Sequence, residues 1–179
     1  MKTRPPYKIV LTGPESTGKS STSRELALAL DTVWVPEYAR EYLSRLGRPY
    51  QEEDLERIAR GQLESEDQRA AHAADILICD TDLYVIKIWS EYKYGRCSPW
   101  ILEQIALRSY DLYLLGYPDM AWEEDPLREH PDPKDREILF QYYLDHMVHS
   151  GVPFQVLRGS PDQRLAQAMA AIRRQAIIP

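Results

Sequence analysis

The sequence predicts an α/β fold of three layers, with a five-stranded parallel sheet between helices. Five short apolar runs recur along the chain, amphipathic stretches of helical length separate them, and a glycine-rich loop follows the first run directly. Buried runs alternating with helices indicate a parallel sheet, because each parallel return needs a crossover. At 179 residues the chain has the length of one domain, 1–179, and can bury a full core.

The first run, Tyr7–Leu11, delivers Gly13-Pro14-Glu15-Ser16-Thr17-Gly18-Lys19-Ser20, which reads G-x-x-x-x-G-K-S. A predicted helix, Ser20–Leu30, leaves it with Leu26, Ala27 and Leu30 on one face. Strand, loop and helix in this register let backbone N–H groups converge on a phosphate chain. Gly13 and Gly18 permit backbone shapes and close approaches that a Cβ would block. Lys19 brings a point charge to the β- and γ-phosphates, and the Ser20 hydroxyl can ligate Mg²⁺. Glu15, Ser16, Thr17 and Ser21 complete the predicted nucleotide site.

The second run, Thr32–Val35, leads into Pro36-Glu37-Tyr38-Ala39-Arg40 and a short helix, Tyr38–Leu46, ended near Gly47. Ligands of open α/β sheets bind beyond the carboxyl ends of the strands, which puts Glu37 and Arg40 near the phosphates. A carboxylate there can take a proton from an acceptor hydroxyl, the preferred reading of Glu37 over that of a mere negative charge at a helix N-terminus. A long helix, Glu52–Ala74, has Leu55, Ile58, Ala59, Leu63 and Ala70 inward. The third run, Ile76–Cys79, ends in Asp80-Thr81-Asp82. An apolar strand closing on aspartate matches a Walker-B strand, so Asp80 or Asp82 can hold Mg²⁺, and Asp82 also reads as a helix cap. Helices are predicted at Leu83–Tyr94, closed by Gly95, and at Trp100–Arg108 after Pro99, before the fourth run, Leu112–Leu115.

Residues 116–133 are irregular, with four prolines and several acids. A structureless stretch this long predicts a lid or binding loop. Arg128, and with it Arg136, either clamps a phosphoryl group when the lid closes or pairs with the surrounding acids. A helix, Lys134–Ser150, precedes the last run, Phe154–Leu157, and Ser160-Pro161 starts a final helix, Asp162–Gln175. Asp162 and Arg164 fall where P-loop kinases often place an adenine loop, a placement by fold analogy.

The charge balance, 22 basic residues against 28 acidic for a net −6, argues against a nucleic-acid surface. Two cysteines, Cys79 and Cys97, are too few for a disulfide framework. Met1–Pro6 carries no apolar segment of a signal peptide, and no run reaches membrane-spanning length, so the expected compartment is the cytoplasm without a membrane partner. Tyr42, Tyr50, Tyr84, Trp89, Tyr92, Tyr94 and Trp100 give the middle of the chain flat rings that can stack on a base but read mainly as core or subunit contacts, the latter leaving a homo-oligomer open. His146 and His149, three apart, read as surface histidines.

Taken together, GPESTGKS, PEYAREY, ICDTD, KYG, DLYLL and WEEDPLR resemble the ribosylnicotinamide kinase domain of the bifunctional NAD-biosynthesis protein NadR and the wider group of NadR-like P-loop ATPases. The resemblance runs from about Tyr7 to the C-terminus. It implies the fold of P-loop nucleoside and nucleotide kinases, with ATP and Mg²⁺ as cofactors and a small nucleoside, nicotinamide riboside, as acceptor. Gly13, Gly18, Lys19 and Ser20 would bind the ATP phosphates and Mg²⁺. Glu37, Tyr38, Arg40, Asp80 and Asp82 would line the acceptor site, and Trp122, Asp125 and Arg128 would belong to the lid. The pattern differs at Pro36, where the family has an aromatic that stacks on the nicotinamide ring, at Leu55, where a second aromatic is expected, and at Pro126, where the lid has glycine. Trp34, two residues before Pro36 and on the same strand side, is the nearest substitute for the first. The adenylyltransferase and DNA-binding parts of the bifunctional protein are not matched, so a stand-alone kinase is expected.

The leading expectation is therefore an ATP-dependent small-molecule kinase, with Lys19, Glu37, Asp82 and Arg128 as its catalytic side chains. The alternative is a nucleotide-dependent regulatory ATPase or switch acting with a protein partner. A nucleoside-sized cavity beside the P-loop favours the first, and a flat aromatic surface the second.

Overall fold

Alternation along the strands divides the core into two layers. The computed structural model describes residues 5–175, 177 and 178; the signal-peptide reading of Met1–Pro6 falls largely outside them. Among the described residues five parallel strands form one sheet in the order β2-β3-β1-β4-β5. They are β1 (Tyr7–Thr12), β2 (Val33–Val35), β3 (Ile76–Asp80), β4 (Leu112–Gly116) and β5 (Phe154–Leu157). Each lies within one residue of its predicted bounds. The helices are α1 (Lys19–Ala29), α2 (Tyr38–Leu46), α3 (Glu52–Ala70), α4 (Leu83–Tyr94), α5 (Pro99–Leu107), α6 (Pro133–Ser150) and α7 (Pro161–Arg174). Helix α3 stops four residues short of expectation.

Ile9 and Leu11 of β1, Ile78 of β3 and Leu114 of β4 point to one face, where Leu26 of α1 and Ala168 and Ile172 of α7 cover them. Val10, Leu77, Cys79, Tyr113 and Leu115 point to the other, under Ile88 of α4 and Phe140, Tyr143 and Met147 of α6. Successive strand residues face opposite sides, so a sheet covered on both faces must be apolar throughout. That is why β1, β3 and β4 read as unbroken apolar runs. A third cluster, with Leu55, Ile58 and Leu63 of α3 against Leu83 and Ile86 of α4 and Ile101 of α5, props the helices beside β2 and β3.

Helix ends follow their local chemistry. The Ser160 hydroxyl accepts the Gln163 N–H and Pro161 opens the first turn of α7; Asp132 caps α6 in the same way before Pro133. Left-handed Gly47, Gly95 and Gly151 end α2, α4 and α6. The parallel order sets β1, β3 and β4 side by side, so the loops leaving their carboxyl ends meet above the sheet.

Candidate active site

The loop after β1 takes the shape its glycines allow. Gly13 has φ 127°, and a Cβ there would lie 2.8 Å from the Gly116 carbonyl oxygen at the end of β4. Gly18, with φ 74°, is the left-handed cap of α1. The Thr17 hydroxyl donates to the Pro14 carbonyl at 2.9 Å, closing the loop, and the Lys19 ammonium donates to the same oxygen at 2.7 Å. Burial pushes the Lys19 pKa down, while Glu37, Asp80 and Glu15 act against that shift. Three carboxylates thus favour the charged form of the lysine against its burial.

The two aspartates after β3 part company. Thr81 between them has φ 72°, a left-handed turn that sends the carboxylates in different directions. Asp80 faces the loop beside Ser20, whose hydroxyl counts among the influences that lower its pKa. It is 1% exposed, and its Oδ1 has no hydrogen-bond partner. Burial and Glu37 push its pKa up to about 7, with Ser20, Lys19 and Arg40 pulling the other way. A buried carboxylate oxygen without a partner, beside a hydroxyl at the end of a phosphate loop, fits Mg²⁺. Among the described residues no group of three or more His, Cys, Asp or Glu side chains could hold a metal by itself. Mg²⁺ at Ser20 and Asp80 would therefore share its shell with nucleotide phosphates, its usual habit.

Asp82 departs from expectation. Its carboxylate caps α4 by accepting the Tyr84 N–H at 3.2 Å, and it accepts the Tyr113 hydroxyl of β4 at 2.8 Å. It turns away from the loop, and the expected catalytic and acceptor roles do not fit its position.

Beside the P-loop opens a cleft with about 1160 Å³ of empty space, its mouth included. Residues 13–21 line one end, and Glu37, Arg40, Leu43, Trp89, Tyr92 and Tyr143 line the other. Glu37, the N-cap residue of α2, lies 3.5 Å from the Arg40 guanidinium, which reaches Asp125 of the lid at 2.7 Å. The Leu127 N–H and Arg40 hold the Asp125 carboxyl below the usual range.

Several expected residues lie elsewhere. Trp34 faces α1, where the Arg24 guanidinium stands 5.1 Å from its ring centre; alternation in β2 gives it the face opposite Val35, away from the cleft. Tyr38 packs on Gly61 of α3, where any Cβ would collide with its ring. Trp122 lies within the lid, its ring centre 5.9 Å from the guanidinium carbons of both Arg128 and Arg136, and is absent from the cleft lining. Asp162 is exposed on the first turn of α7, outside the cleft. Arg164 is 1% exposed and donates to the carbonyls of Gly159, Leu157, Thr17 and Tyr117 and to Asp119, pinning the back of the P-loop. His146 is not a plain surface histidine, since its ring stacks on Tyr84 with centroids 3.3 Å apart.

Residues 117–132, between β4 and α6, form the lid, and it lies on the P-loop. The Glu15 carboxylate accepts the backbone N–H groups of Glu129, at 3.0 Å, and His130, at 2.9 Å. The Ser16 hydroxyl oxygen accepts the Glu123 N–H at 3.1 Å and the Arg128 guanidinium at 2.8 Å. Arg136, buried at the start of α6, donates to the Ser16 carbonyl at 2.9 Å. Glu15 and Ser16, expected as nucleotide ligands, thus bind the lid with their side chains. Trp89 and Tyr92 come to the cleft from α4; the sequence displayed both as aromatics without separating them from core. Tyr143 and Leu127 carried no signal beyond their hydrophobicity.

A phosphate loop at the head of a parallel sheet, an acidic strand end beside it and a lid across it define a P-loop nucleotide-binding protein. Residues 8–164 match an AAA domain family, and the chain belongs to it. Over 170 residues it is 26% identical to the trifunctional NAD biosynthesis/regulator protein NadR of Escherichia coli (strain K12), covering 92% of this chain and 42% of that protein. The Salmonella typhimurium NadR is 27% identical over 150 residues, 82% of this chain and 37% of that one. The chain therefore spans less than half the length of these curated relatives. A crystal structure of NadR in complex with NR superposes with a TM-score of 0.80 at 21% identity, over 97% of this chain and 52% of that one. Thymidylate kinase from Ehrlichia chaffeensis superposes at 0.64 and 15% identity, over 94% and 100% of the two chains. The fold is that of the P-loop nucleoside and nucleotide kinases.

Proposed function

We propose that this protein is an ATP-dependent kinase that phosphorylates the 5′-hydroxyl of a ribonucleoside, with nicotinamide riboside as the acceptor that its NadR relatives suggest. The observation carrying this reading is the single cleft that runs from the P-loop, past Glu37 and Arg40, to the aromatic side chains of α4. A switch would need no such second compartment. Phosphoryl transfer asks a protein mainly to align two reactants and neutralise charge. The P-loop amides and Lys19 would hold the ATP phosphates. Ser20 and Asp80 would hold Mg²⁺, which when bound supplies positive charge against the phosphate oxygens. With Asp82 committed to capping α4, Glu37 is the carboxylate at the acceptor end that would orient the nucleoside hydroxyl and take its proton. Arg128 stands over the loop from the lid, where its guanidinium would meet charge developing on the transferred group. Arg40 and Asp125 would close the acceptor end.

ADP release should be stimulated by nicotinamide riboside, or by another member of a nucleoside panel, in the presence of Mg²⁺-ATP. No stimulation by any nucleoside would defeat the proposal. Lys19→Ala should lower kcat at least 100-fold with the far-UV circular dichroism unchanged; near-normal turnover would remove Lys19 from its assigned role.

A further inference from the structure

One lid residue is held from both sides of the cleft. The backbone N–H of Glu129 is bound by Glu15 of the P-loop. Its carboxylate accepts the Tyr50 hydroxyl at 2.6 Å, the Trp89 indole N–H at 3.2 Å and the Lys93 ammonium at 3.0 Å. Tyr50 and Trp89 are themselves joined, the indole N–H donating to the Tyr50 oxygen at 2.7 Å with ring centroids 4.7 Å apart. Of these groups Trp89 lines the acceptor end of the cleft, and the residues flanking Glu129, Arg128 and His130, line it as well.

We infer that Glu129 is a positioning residue that couples nucleotide binding to acceptor binding, by fixing the Trp89 wall of the acceptor compartment only when the lid lies on the P-loop. The inference rests on the kinase reading above. Its physical basis is the convergence of three donors on one carboxylate carried by a segment whose own amides are bound by the P-loop. A lid lifted from Glu15 takes that carboxylate with it, and the Trp89 indole loses one of its two hydrogen-bond acceptors. Lys93 and Glu129 are each more than a third exposed on their side chains, so an isolated ion pair between them would contribute little. The charge-assisted bonds from Tyr50 and Trp89 are what tie the pair to the cleft. The acceptor compartment is then complete only after the phosphate loop has gathered the lid.

The test compares wild type with Glu129→Gln and Glu129→Ala. Dissociation constants for nicotinamide riboside are measured with and without saturating Mg²⁺-ADP. Wild type should bind the riboside more tightly in its presence, and both variants should lose about tenfold of that gain, the size of a charge-assisted hydrogen bond. Mg²⁺-ADP affinity alone should stay within about twofold, because Glu129 touches the P-loop only through its backbone. A second measurement needs no acceptor: with Mg²⁺-ADP bound, hydrogen exchange at the Glu129 and His130 amides should be faster in Glu129→Gln than in wild type. Equal nucleotide enhancement of riboside binding in wild type and variants, or equal exchange at these amides, overturns the inference. Failure of the wild type to phosphorylate any nucleoside overturns the kinase reading instead, and the exchange comparison then still decides whether Glu129 latches the lid.

Discussion

His146 sits where a proton is costly. Its Nε2 is buried without a partner against Tyr84, and burial, reinforced by Lys87 and His149 and opposed by Asp145, pushes its pKa down to about 4. In an unfolded chain a histidine titrates near roughly 6.5. The native state therefore refuses a proton that the unfolded state accepts, and the contribution, complete above pH 6.5, is lost as pH falls from 6.5 towards 4. Asp80 and Asp82, pushed up to about 7 by burial, contribute with the opposite sign over much of the same range. The difference between proteins is thus the informative quantity. His146→Gln should lose less melting temperature than wild type between pH 7 and pH 5, and identical losses in thermal melts would contradict this account. Asp80 and Asp82 both close one apolar strand, and the sequence offered either as the metal ligand. A single left-handed residue, Thr81, decides between them, and no local pattern announces a threonine with positive φ.

At the scale of elements, the phosphate loop depends on its neighbour strand. A Cβ added to Gly116 would lie 2.6 Å from the Thr17 hydroxyl oxygen and 2.8 Å from the Thr17 Cβ. Gly116→Ala should therefore displace the loop, destabilise the protein by about 1–3 kcal/mol as overpacking does, and weaken Mg²⁺-ADP binding. Titration calorimetry with melting curves checks both, and an unchanged nucleotide affinity would show that the loop shifts without consequence. Strand and helix positions were legible because buried parallel strands leave unbroken apolar runs, and because Ser160-Pro161 and Gly95 mark helix ends by chemistry that acts within a few residues. The phosphate loop was legible for the same reason. The acceptor end was not. Period-two alternation placed Trp34 and Pro36 on one side of β2 but left open which side is roofed by α1. Trp89 and Tyr92, three apart on α4, have the spacing of core residues, and only the packing of α4 against α3, α5 and α6 turns them to the cleft. The attachment of Glu15 and Ser16 to the lid joins residues more than 100 positions apart, beyond any local signal.

At the scale of the molecule, the described residues form one sheet with its loops gathered at one edge, so a ligand at that edge engages β1, β3, α2, α4 and the lid together. Mg²⁺-ADP at 100 times its dissociation constant should stabilise the fold by about 2.7 kcal/mol, which for a chain of this size raises the melting temperature by roughly 5–10 °C. No shift at saturating nucleotide would remove the P-loop from its assigned place. Among the described residues no helix is long and apolar enough to cross a membrane.

The strand order bears on how the chain comes into being. The innermost strand, β1, is the earliest to emerge, yet its partners begin at Ile76 and Leu112. On a ribosome adding roughly 5–20 residues per second, Ile9, Val10 and Leu11 wait several seconds or more for their first hydrogen-bonded neighbour. During that interval the central strand of the future sheet is a bare ribbon edge. Slowed translation, or synthesis without a holding chaperone, should lower the soluble yield of newly made protein far more than it harms chains that have already matured.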